Sequence, residues 1–131
     1  MKNYRYICTS NSPTKYHTMD ITQLSKLIAG EILNNSEGTL AISCAFASDL
    51  MSDVLRWHDD NMVLITGLAT IQALRTAEIS GIPCIVFARG KHVTEEMLEL
   101  ARESNIIIIS SPQSMYEVSG KLYTNGIKPL F

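Results

Sequence analysis

From residue 39 onward, short β-branched apolar runs alternate with longer stretches in which apolar residues recur every three or four positions. The runs are Thr39–Phe46, Met62–Thr66, Ile82–Ala88 and Ile106–Ile109, and each predicts a strand. Between them lie helical patterns. Ser48 opens one that carries Leu50, Met51, Val54 and Leu55 on one side, and the stretch after Gly67 carries Leu68, Ile71, Leu74 and Ala77 up to a stop at Gly81. Val93–Ser104 turns Met97, Leu100 and Ala101 inward, with Glu95 and Glu96 in the first turn where the helix dipole favours negative charge. Gln113–Tyr123 shows Met115, Val118 and Leu122.

Ahead of this rhythm, Asp20 or Thr22 caps a helix through Ile28 that carries Ile21, Leu24, Leu27 and Ile28 on one face. Gly30 is expected to end it in a left-handed conformation. Glu31–Asn34 reads as a short strand and Asn34–Gly38 as a polar loop. Residues 1–19 are set apart as an arm, either frayed or holding a short strand in which Tyr4 and Tyr6 alternate with Arg5. That arm has three basic residues and no acid, whereas eight basic residues face thirteen acidic ones in the remainder.

Strand starts separated by about 20–24 residues leave room for one strand, one helix and two short connections. Apolar runs without alternation suit strands covered on both faces. The pattern therefore predicts a three-layer αβα fold with right-handed crossovers and a mainly parallel sheet of four to six strands, built as one domain over 20–131. Strand order stays open. A 131-residue chain that is 46% hydrophobic and 18% charged buries a real core, and its net charge of −2 argues against nucleic-acid binding by bulk charge. Neither a bilayer-spanning run nor a signal peptide is expected. Cys8, Cys44 and Cys84 form no CxxC pair, so they read as buried thiols of a reducing cytoplasm.

The usual chemical motifs are missing. Gly120–Lys121 precedes Leu122 and completes no phosphate-binding P-loop, and there is no GxGxxG or GxSxG. His17, His58 and His92 are too scattered for a zinc site, and His58–Asp59–Asp60 reads as a solvated helix end. No metal, cofactor or catalytic residue is expected. In an open parallel sheet, ligands bind beyond the carboxyl ends of the strands. Four segments converge there: 47–49, 66–70, 89–92 and 110–114. The candidate ligand-binding residues are Ser48, Asp49, Ser52, Thr66, Gly67, Thr70, Arg89, Ser110 and Ser111. Each segment has a structural alternative: Ser48 and Asp49 as caps, Thr66–Gly67 as a tight turn, Arg89, Lys91 and His92 as a solvated loop, and Ser110–Ser111–Pro112 as a helix start.

The stretch Ser48–Asp49–Leu50–Met51–Ser52–Asp53–Val54 resembles a segment of DRTGG-domain proteins. The likeness continues through Met62–Gly67, Ala77–Pro83 and Ser114–Tyr123, so that it covers about residues 20–124. That family is similar to the N-terminal domain of HPr kinase/phosphorylase. Its members occur alone or attached to phosphotransacetylases and CBS-containing pyrophosphatases. The resemblance implies an α/β accessory domain concerned with assembly or regulation. The namesake Asp, Arg and Gly-Gly have no counterpart in Thr39–Phe46, and the kinase P-loop belongs to a different domain.

Three functions compete at this point. The first is a regulatory or scaffolding homo-oligomer, a dimer or larger, that senses a small anionic metabolite or nucleotide; Met51, Trp57, Tyr116 and Tyr123 then supply subunit contacts. The second is a module that binds another protein and no small ligand. The third is a small enzyme using Ser48, Asp49 or Asp53. None of the three requires nucleic acid or a membrane.

Overall fold

A computed structural model describes residues 15–34 and 40–131. Most of the arm, including Tyr4, Tyr6 and Cys8, and nearly all of the expected polar loop lie outside these residues. The described chain forms β1 (Met19–Asp20), α1 (Ile21–Leu27), β2 (Glu31–Ile32), β3 (Ala41–Ile42), β4 (Cys44–Ala47), α2 (Met51–Val54) and β5 (Met62–Thr66). It continues through α3 (Ile71–Ser80), β6 (Cys84–Phe87), α4 (Glu95–Glu103), β7 (Ile107–Ser110), α5 (Met115–Thr124) and β8 (Lys128–Pro129). The main sheet has six strands in the order β2-β7-β6-β5-β4-β8, and every pair is parallel except β2 with β7. Strands β1 and β3 form a separate antiparallel ladder.

Strands β4 to β7 lie side by side in chain order, so right-handed crossovers must put α2, α3 and α4 on one face. The core agrees. Met51, Val54, Leu74, Ala77, Met97 and Leu100 pack with Met62, Leu64, Ile85, Phe87 and Ile108. The intervening strand residues Val63, Ile65, Cys84, Val86, Ile107 and Ile109 point the other way, onto Ile21 and Leu24 of α1 and Val118 and Leu122 of α5. Two buried faces explain the unbroken apolar runs. The chain then returns from β7 across the whole sheet to β8, with α5 on the second face.

Several local expectations need correction. The expected strand 39–46 is broken at Ser43, whose N–H donates to Asn61 O (2.9 Å) while β3 turns to pair with β1. Gly30 does not take the left-handed turn after α1; Ala29 does, at φ 52°. Glycine is needed at 30 for another reason, since a Cβ there would lie 2.7 Å from Ile109 Cγ2 on β7. Gly81 does stop α3 at φ 69°. Asp20 caps α1 in a reciprocal box with Gln23. Ser48 opens no helix: α2 is a single turn with no side-chain cap, and Ser48 Oγ instead accepts from Leu50 N (3.0 Å). Helices α3, α4 and α5 are capped by Thr70, Thr94 and Ser114.

Candidate functional site

The topology marks one place at the carboxyl rim. Helix α4 leaves β6 toward one face and α5 leaves β7 toward the other, so the ends of these neighbouring strands form the topological switch point at which open α/β sheets bind ligands. Its loops are 88–94 and 111–114. They are stitched together by Arg89 N–H to Gln113 O (2.8 Å) and Gly90 N–H to Ser111 O (2.9 Å). Arg89 sits at φ 68°, a left-handed backbone that costs an L-residue energy, and Gly90 follows at φ 63°. This turn aims the Arg89 side chain at the next strand end, where its guanidinium lies against Gly67; a Cβ on Gly67 would stand 2.9 Å from Arg89 Cζ and Nε. Gly67 therefore serves close approach.

Asp49 completes the cluster from a third strand end. Rather than capping α2, its Oδ1 accepts from Thr66 Oγ1 (2.8 Å) and from Gly67 N–H (2.7 Å). Thr66 Oγ1 in turn accepts from Leu68 N–H (3.1 Å). The Gly67 N–H is the main influence holding the Asp49 carboxyl below its ordinary value. The Thr66 hydroxyl and the charges of Arg89 and Lys91 act in the same direction, and partial burial opposes them. The ends of β4, β5 and β6 thus share one polar network, with Arg89, Lys91 and His92 exposed beside it.

Other candidates fall differently. Thr70 Oγ1 accepts from Ala73 N–H (3.3 Å) as an ordinary cap. Ser111 is fully buried; it donates to Ile28 O (2.6 Å) and accepts from Gln113 N–H (3.2 Å), so its hydroxyl ties α1 to the β7–α5 turn instead of facing solvent. Ser52 is exposed on α2, and Ser110 ends β7 half-buried. Gln113, absent from the sequence-derived candidates, lies in the loop after β7 with its Oε1 buried and without a hydrogen-bond partner among the described residues. Nothing local in the sequence announces it. Burial pushes the Cys44 and Cys84 thiols up, away from the reactive thiolate. His58 bridges Ser80 O (2.6 Å) and Asp60 (3.0 Å), and no group of metal-ligating side chains occurs among the described residues.

An apolar concavity lies elsewhere. A groove of about 360 Å³ between α5 and strands β4 and β8 is lined by Ala45, Ala47, Ile65, Tyr116, Tyr123 and Ile127 among others. None of the nine candidate residues lines it.

No curated protein matches the chain. Residues 69–124, from the cap of α3 to the end of α5, match the family model described as HPr Serine kinase N terminus. The fold is similar to a crystal structure of the CBS and DRTGG domains of the regulatory region of Clostridium perfringens pyrophosphatase, complexed with its activator diadenosine tetraphosphate. That match has a TM-score of 0.71 and 14% identity, covers 82% of this chain, and spans only 47% of the other. With its six-stranded, mostly parallel sheet and its covered faces, the chain has a fold similar to that of the structure containing the DRTGG domain, and over residues 69–124 its sequence is similar to the HPr kinase N terminus.

Proposed function

We propose that residues 20–131 act as one regulatory domain that binds a small anionic metabolite or nucleotide at the carboxyl rim and works as a homo-oligomer, without catalysis. The observation that carries this reading is Arg89. A non-glycine residue held in left-handed backbone at the switch point, with its guanidinium laid across Gly67, is a strain that a purely structural turn would avoid by using glycine. The strain fixes a cation where three strand ends meet, and Lys91 and His92 add charge and donors beside it. Asp49 uses Oδ1 for Thr66 and Gly67, which leaves Oδ2 to accept from a hydroxyl or amino group of a bound nucleoside. The buried Gln113 Oε1 offers a second acceptor. The pyrophosphatase structure with the same fold was crystallised with a dinucleotide activator, which fits this ligand class. The reducing cytoplasm is the compartment that suits the free thiols Cys44 and Cys84.

Thermal-shift screening with nucleotides and phosphorylated metabolites tests the ligand. One present at 100 times its Kd should stabilise by about 2.7 kcal/mol. Silence across the panel would sink the ligand reading and favour the protein-binding alternative, for which the apolar groove beside α5 is the specific support.

A further inference from the structure

We infer that the outer face of α5 is a self-association surface, covered by α5 of a second copy of this chain running antiparallel to it. This deepens the assembly half of the proposed function and does not depend on its ligand half. Val118 and Leu122 turn α5 inward, which leaves Gly120 at the middle of the opposite face with Tyr116 one turn before it. Tyr116 is 91% exposed, and Tyr123, one turn further on, is 45% exposed. Gly120 interrupts the helix with one of its least favourable residues, yet a Cβ there would meet nothing within 4 Å among the described residues. Packing among the described residues gives no reason for the glycine. Bare backbone at a helix midpoint is what a second helix needs in order to come close.

The same face also carries a projection and a recess. Tyr116 projects beside an apolar groove lined by Ala45, Ala47, Ile65 and Ile127, so one surface supplies both halves of a contact. That is the requirement of a two-fold interface, in which residue i meets j and j meets i. Charge selects the orientation. Glu117 and Lys121 flank the glycine and pair along the helix at 3.5 Å. Antiparallel crossing about Ser119 sets Glu117 of each copy beside Lys121 of the other, whereas parallel crossing sets like charge on like. It also brings Tyr116 alongside Tyr123 of the second copy.

Sedimentation equilibrium on the full chain, from low to high micromolar concentration, tests the inference. The wild type is expected to dimerise. Gly120→Arg, which meets no described neighbour in a single copy, should weaken the dimer roughly tenfold or more while circular dichroism keeps the same fold and the thermal midpoint of the monomer does not fall, since arginine suits a helix better than glycine. Tyr116→Ala provides an independent weakening. Glu117→Lys and Lys121→Glu should each lose self-association, and an equal mixture of the two should recover it as a heterodimer. A wild type that stays monomeric throughout overturns both this interface and the oligomeric reading. A dimer indifferent to Gly120→Arg overturns the interface alone, and the thermal-shift response to nucleotides moves in neither case.

Discussion

Replacing Asp49 with alanine removes the single acceptor, Oδ1, that serves both Thr66 Oγ1 and Gly67 N–H. Thr66 and Gly67 are buried but Asp49 is exposed, so water enters the space left by the carboxylate and satisfies part of what is lost. Sheltered hydrogen bonds to a charged group are worth about 1.5–3 kcal/mol each; discounted for exposure, the pair should cost about 1–2 kcal/mol together. For a chain of this length that lowers Tm by about 3–8 °C. Asn at 49 keeps an oxygen able to accept both bonds and should lose about half as much. Urea unfolding of the three proteins across pH adds a second reading. The folded Asp49 carboxyl lies below its unfolded value, so its contribution is complete above about pH 4 and disappears as pH falls through the folded value. The gap between wild type and Asp49→Ala should therefore be flat near neutrality and close in acid. Equal stability of the two proteins at pH 7, or a gap that widens in acid, would refute the network as described.

Arg89→Gly relieves the left-handed strain but adds glycine's unfolded-state entropy, so stability should stay within about 1 kcal/mol of wild type while any nucleotide-induced thermal shift is lost. Ser111→Ala leaves Ile28 O without its buried donor and should cost about 1–3 kcal/mol in urea unfolding, with ligand response retained. Mass-mapped thiol labelling should leave Cys44 and Cys84 unmodified in the native protein and label both in denaturant, because both are buried with raised pKa values.

The parallel sheet was legible because β5, β6 and β7 are buried on both faces, and their apolar runs coincide with the strands to within two residues. Caps written in local chemistry, such as Asp20 and Gly81, were equally readable. What failed depends on partners distant in sequence. Ser43 looks like part of a strand until Asn61 claims its N–H, and Asp49 looks like a cap until Gly67 arrives from 18 residues away. Strand β8 consists of an exposed lysine and a proline with no β signal, and pairing with β4 is what makes it a strand. The rim as a meeting point followed from the parallel topology. The Arg89–Gly67 approach, the orphaned Gln113 Oε1 and the groove beside α5 required coordinates.

The position of β8 has a consequence for synthesis. Strands β4 to β7 leave the ribosome in the order in which they pair, so each ladder can zip as its newest member emerges. The outer flank of β4 must wait for the far end of the domain, since Ser43 and Ala45 carbonyls receive Lys128 and Leu130 N–H groups. A nascent chain paused after α5 presents those carbonyls as an open template, which invites pairing with a neighbouring polypeptide. Docking of residues 128–130 closes that flank of β4 and replaces it with a two-residue edge carrying a lysine and a proline, which is a poorer template for pairing.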